Sequence, residues 1–137
     1  MPERSEQDRP VTVVGIADDR FDLLFPEAKA ALRDARIVVG GRRHLALFEH
    51  WDEAQPERDE RPELMEITAD TEDLMGRVRA RLSGGGGPVC VLASGDPGFF
   101  GIVRTLLRHL HRHQLRVLPT SSSVATAFAR LGRRGGR

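Results

Sequence analysis

The residues best suited to chemistry form one run, Ser94-Gly95-Asp96-Pro97-Gly98, set directly behind the apolar stretch Val89 to Ala93. Hydroxyl, carboxylate and glycine in that order suit the capture of a polar ligand by short side chains and backbone. Glycine admits close backbone approach, and the first turn of a following helix offers unpaired N–H groups. Apolar residues then recur at Phe99, Ile102, Val103, Leu106, Leu107 and Leu110, a spacing of three and four that predicts a helix. Strand, small-residue turn and helix is how an open α/β sheet builds a ligand crevice at the carboxyl ends of its strands. The run marks binding and no particular reaction. Its plainer reading is that Asp96-Pro97 merely starts the helix.

Other polar clusters have the same two-sided character. Gly15-Ile-Ala-Asp-Asp19 and Pro119-Thr-Ser-Ser-Ser123 also follow apolar runs, and a parallel sheet would bring them to the edge that carries Ser94. Ser121 to Ser123 equally suit a helix cap. The glycines Gly84 to Gly87 precede a strand, whereas phosphate cradles follow one and open a helix, so this stretch reads as a connector. His109, His111 and His113 alternate near a helix end. Helical positions two apart point roughly 200° away from each other, so no metal site is expected there.

The elements that must position these groups can be read from patterning. Val11 to Ile16, Ile37 to Val39, Val89 to Ala93 and Leu115 to Leu118 read as strands, with another short one near Leu64 to Ile67. Helices are expected from Pro26, whose missing N–H costs nothing in a first turn, and from Asp70 or Thr71, either of which can cap. A short helix is expected through Leu45 and Phe48, one from the Asp96 turn to about His113, and a last one carrying Val124, Phe128 and Leu131. Strand and helix alternate throughout. The expected fold is therefore α/β: a single three-layer α/β/α domain on a mostly parallel sheet of about five strands.

The chain has 137 residues, room for one domain with its own core. A formal charge of +1 gives no electrostatic reason for nucleic acid or membrane binding, and no apolar stretch approaches bilayer length. Cys90 is the only cysteine, which excludes an internal disulfide, and its apolar setting suits a small buried hydrophobe. Residues 1–10 are polar and read as a disordered leader without a signal-peptide core, which makes the cytoplasm the default location. The domain is expected over residues 11–132, with a tail at 133–137.

Four segments in order carry a resemblance: Val11-Thr-Val-Val-Gly-Ile16, Ile37-Val-Val-Gly-Gly-Arg-Arg-His-Leu45, Ala93-Ser-Gly-Asp-Pro-Gly-Phe-Phe-Gly101 and Val117-Leu-Pro-Thr-Ser-Ser-Ser-Val124. Together they resemble the amino-terminal half of a tetrapyrrole methylase, over about Val11 to Gly132, and the Gly40 to Leu45 run points to a cobalamin-pathway member. The resemblance implies S-adenosylmethionine as cofactor, held by Ser94, Gly95 and Asp96 and by a second loop at Ser122 and Ser123. It implies a precorrin as substrate, whose acetate and propionate groups suit paired guanidiniums at Arg42 and Arg43, with His44 as a further candidate; Asp18 and Asp19 suit either a loop surface or polar groups of the substrate. Ala17 and Arg20 depart from the family's glycine-rich first loop. No catalytic base is needed, because the sulfonium is already activated and the acceptor carbon is already nucleophilic. The family's second domain would begin where this sequence ends, so a missing carboxyl-terminal partner domain, little turnover in isolation and a homodimer are expected. Other readings are a methylase of another ring position and a non-catalytic remnant that binds a ligand or a partner.

Overall fold

The computed structural model describes residues 9–55, 60–94 and 98–118, with backbone alone for 98–100. β1 (Val11–Ile16), β2 (Ile37–Gly40) and β4 (Val89–Ser94) are apolar almost throughout and are buried apart from Ser94. Such continuous runs are what a sheet covered on both faces requires. β3 (Glu63–Glu66) and β5 (Leu115–Leu118) complete five strands in the order β3-β2-β4-β1-β5, with every pairing parallel. The outer strand β3 carries Glu63 and Glu66, and such charges discourage edge-to-edge pairing.

Alternation along the strands divides the interior in two. Val11, Val13, Val39 and Val91 pack with Leu74, Met75 and Val78 of α3 (Thr71–Ser83), and with Leu106 of α4 (Gly98–His109). Val14, Ile16, Val38 and Leu92 face the other way, onto Ala28 and Leu32 of α1 (Pro26–Asp34) and Leu45 and Phe48 of α2 (Arg42–Glu53). The three-layer α/β/α arrangement expected from the sequence is the one observed. Crossovers over α1 and α2 run toward β3, and those over α3 and α4 run toward β5. Opposite directions on opposite faces keep one handedness for all of them.

Local signals explain most boundaries. Pro26 sits in the first turn of α1, and the Asp70 carboxylate accepts the Asp73 N–H at the start of α3. The glycine run ends α3, with Gly85 at φ 75° and the Gly86 N–H donating to the Arg81 carbonyl at 2.7 Å. Three details correct the sequence reading. The helix through Leu45 and Phe48 is not short: it spans 12 residues, because Phe48 and Asp52 continue its buried face. β3 begins at Glu63, one residue before the apolar signal. The helix expected to reach His113 stops at His109; the chain then turns through a 3-10 segment, Arg112–Gln114, in which the Gln114 side chain accepts the His111 N–H. His111 and His113 are therefore off the helix, and among the described residues no group of three potential ligands gathers as a metal site. The last helix, the tail and most of the leader fall outside the described residues, as do Gly95, Asp96, Ser122 and Ser123.

An ion pair fastens the edge strand to the helix layer: Arg81 of α3 donates two hydrogen bonds to Glu63, at 3.1 and 2.9 Å. Hydrogen bonding from Arg81, aided by its charge, holds the Glu63 carboxyl below its ordinary range. A carboxyl with a lowered folded pKa stabilises the fold above its ordinary pKa and loses that contribution as pH falls through the folded value. Glu63→Gln should therefore cost stability near neutral pH, with the difference from the parent vanishing in acid. Both side chains are half-exposed, so the effect is small. Thermal melts across the acid range read it out.

Candidate functional site

The chain leaves β1 toward the face carrying α1 and leaves β4 toward the face carrying α4. These strands are neighbours, with Ile16 beside Ser94 at their carboxyl ends. Adjacent strands whose exits diverge leave a crevice between them, where ligands of open α/β sheets bind. A cavity of about 560 Å³ lies at this edge. Leu92 and Ala93 of β4, Ile67 after β3 and Ile102 of α4 supply its apolar lining, and Ser94 lines it as well.

The polar side comes from two segments. Gly41 precedes α2, so Arg42, Arg43 and His44 occupy its first turn and line the cavity. The loop after β1 supplies Asp19 from the other direction, across the end of the intervening β4. Asp19 Oδ2 lies 2.6 Å from an Arg43 guanidinium nitrogen, and Asp19 Oδ1 lies 3.4 Å from His44 Nε2. Arg42 donates to Glu66 at 3.1 Å. The guanidiniums stand in solvent, 88% exposed for Arg42 and 80% for Arg43, whereas His44 is only 13% exposed. The arrangement is an apolar floor with two arginines at its mouth. It suits an apolar ligand that carries carboxylates.

A tight turn holds Asp19 in place. Asp18 and Asp19 have φ of 53° and 55°, and the Arg20 N–H donates to the Ala17 carbonyl at 3.0 Å. Two left-handed residues inside such a four-residue loop are the pattern of a type I′ turn, which Asp accepts better than most residues. This accounts for Ala17 in place of a glycine. The residues that need positive φ are the two aspartates, and Ala17 is not among them. Arg20 closes the turn and donates forward to Asp22 through paired bonds of 2.9 and 2.7 Å, holding the Asp22 carboxyl below its usual range.

Of the residues singled out in the sequence, Ser94, Arg42, Arg43 and His44 gather on one cavity. Asp18 is exposed and does not line it. Asp19, which the sequence offers beside Asp18 without choosing between a surface and a ligand role, is the aspartate that does line it. Its partners lie more than twenty positions away, so no local pattern reveals them. Two other cavities differ in character. One of about 400 Å³, lined by Arg33, Arg36, Arg61 and Pro62 among others, opens at the amino ends of the strands. Another of about 500 Å³ lies between α4 and β5. Neither sits where the strand exits diverge.

Residues 10–136 match the family model of the tetrapyrrole (corrin/porphyrin) methylases. A precorrin-6Y C(5,15)-methyltransferase (decarboxylating) of Sinorhizobium is 38% identical over 89% of this chain and 27% of its own length. A cobalt-precorrin-7 C(5)-methyltransferase of Salmonella typhimurium is 34% identical over 89% of this chain and 55% of its own length. The chain thus spans about a quarter to a half of these relatives. The crystal structure of a cobalt-precorrin-4 methyltransferase shares the fold, with a TM-score of 0.62 over 93% of this chain and 52% of that one, at 19% identity.

Proposed function

This chain belongs to the tetrapyrrole (corrin/porphyrin) methylase family, and we propose that it is the amino-terminal domain of a precorrin methyltransferase of cobalamin biosynthesis, over residues 11–132. The observation that carries the reading is the carboxyl-edge cavity, where exposed arginines rim an apolar floor beside Ser94. The two curated relatives described above both bear names with a C(5) methylation, which makes ring carbon 5 the proposed acceptor.

S-adenosylmethionine fits this reading at the carboxyl end of β4, where Ser94 is exposed and offers a hydroxyl. Ser94 would hold it, and by family resemblance Gly95, Asp96, Ser122 and Ser123 would join in. When bound, this group supplies a methyl already activated by a sulfonium. The protein's task is then alignment and exclusion of water, which need no base. Leu92, Ala93, Ile67 and Ile102 offer the macrocycle a dry face, while Arg42 and Arg43 fix its rotation through peripheral carboxylates. A partner domain closes the cleft, the reaction runs in the cytoplasm, and the chain forms a homodimer. Phe99 and Phe100, which follow the small-residue turn, are the sequence's contact candidates for that dimer, and exposed Leu23 and Phe25 are further ones. Sedimentation velocity should show the dimer, and a monomer at every concentration removes it.

The product of the full open reading frame should transfer labelled methyl from S-adenosylmethionine to a precorrin. Ser94→Trp should depress that transfer. Absence of transfer to any precorrin, from folded protein, would contradict the reading.

A further inference from the structure

Each guanidinium at the cavity mouth already meets a carboxylate of the chain itself: Arg42 meets Glu66, and Arg43 meets Asp19. Only Asp19 also lines the cavity. A ligand carboxylate that approaches Arg43 therefore finds its place taken. We propose that Asp19 is a resident counter-ion, which neutralises Arg43 in the free protein, yields it to a ligand carboxylate, and so tunes affinity for polycarboxylate tetrapyrroles. The inference rests on assigning the cavity to a tetrapyrrole acid.

Three features suit Asp19 to being displaced. Arg43 is 80% exposed, and an ion pair so solvated contributes little, so giving it up costs little. A guanidinium presents five N–H donors in a planar fork, which a ligand carboxylate can engage with two parallel bonds. Asp19 also retains a partner after Arg43 leaves, because its other oxygen faces His44 Nε2. The left-handed turn at Asp18 and Asp19 keeps the carboxylate at the rim in either state. Asp19 thus acts through Arg43, as a specificity-determining residue that need not touch the ligand.

The test is a fluorescence titration with uroporphyrin III, an octacarboxylate tetrapyrrole, at low salt. It compares the parent chain, Asp19→Asn, Arg43→Gln and the double variant. Asparagine tolerates left-handed φ, so Asp19→Asn keeps the turn while removing the charge, and thermal melts check that it does. Asp19→Asn should tighten binding about two- to fivefold, the range of an exposed ion pair. Arg43→Gln should weaken it. In the Arg43→Gln background, Asp19→Asn should change nothing, and high salt should erase its gain in the parent. Weaker binding by Asp19→Asn would make it a ligand contact or a support and overturn the proposal. An equal gain with and without Arg43 would overturn it too, as a mere net-charge effect. If the parent does not bind uroporphyrin III, the tetrapyrrole assignment falls and this inference with it. If the parent binds, Arg43→Gln weakens binding and Asp19→Asn fails to tighten it, the inference alone falls.

Discussion

Phe48→Ala is expected to destabilise the fold by about 3–5 kcal/mol, the usual cost of deleting a buried aromatic ring. Phe48 is 1% exposed and lies at the centre of an aromatic group. Its ring is 6.2 Å from that of Phe21 and 6.0 Å from that of Trp51, and those two are 6.1 Å apart. The group joins α2 to the segment between β1 and α1, so it fixes the two pieces of backbone that bring Arg43 and Asp19 together. A cavity there should lower Tm by about 10 °C or more. It should also weaken ligand binding at temperatures where the variant is still folded. Phe48→Leu leaves a smaller void and should lose less of both. A loss under about 1 kcal/mol for Phe48→Ala would contradict the role given to this cluster.

The paired change Arg42→Gln and Arg43→Gln is expected to weaken binding of a polycarboxylate tetrapyrrole about tenfold to hundredfold at low salt. A hydrogen bond to a charged group contributes about 1.5–3 kcal/mol when dry, but solvent at these exposed side chains reduces the two arginines to about 1.4–2.8 kcal/mol together, and every 1.4 kcal/mol is tenfold in Kd. Both side chains stand in water, so stability should hardly change. The parent and the double variant should converge as salt screens the carboxylates. Affinities within twofold of each other at low salt would remove the arginines from the site.

Much of this was legible in the sequence, for identifiable reasons. β1, β2 and β4 announce themselves because strands buried on both faces must be apolar almost throughout. The edge strand β3 is harder, since Glu63 and Glu66 are charged on account of its position in the sheet, which sequence alone does not reveal. The reach of α2 past Phe48 is obscured by Asp52, a carboxylate on the buried face of the helix. The early end of α4 is masked by Leu110, which keeps the helical spacing and whose N–H still donates to the Leu106 carbonyl.

The site divides in the same way. Ser94 and the Arg42 to His44 run are visible because the first ends an apolar strand and the second comes one glycine after another, so being at the carboxyl edge comes with being in a parallel sheet. Asp19 is not visible in that way. Its role depends on β4 lying between β1 and β2, so that the first loop crosses to the start of α2. Its backbone conformation is equally hidden, because a missing glycine at Ala17 reads as a defect until the positive φ values are found at Asp18 and Asp19.

The central claim is that the carboxyl-edge cavity receives a tetrapyrrole acid. Backbone amide shifts of the labelled chain, followed during titration with uroporphyrin III, test it most directly. The predicted result is saturable shifts concentrated at Asp19 and Arg20, at Gly41 to His44 and at Ser94, with the amino-edge residues Arg33, Arg36 and Arg61 unmoved. Shifts centred on that amino-edge group, or no saturable shifts at all, would contradict it.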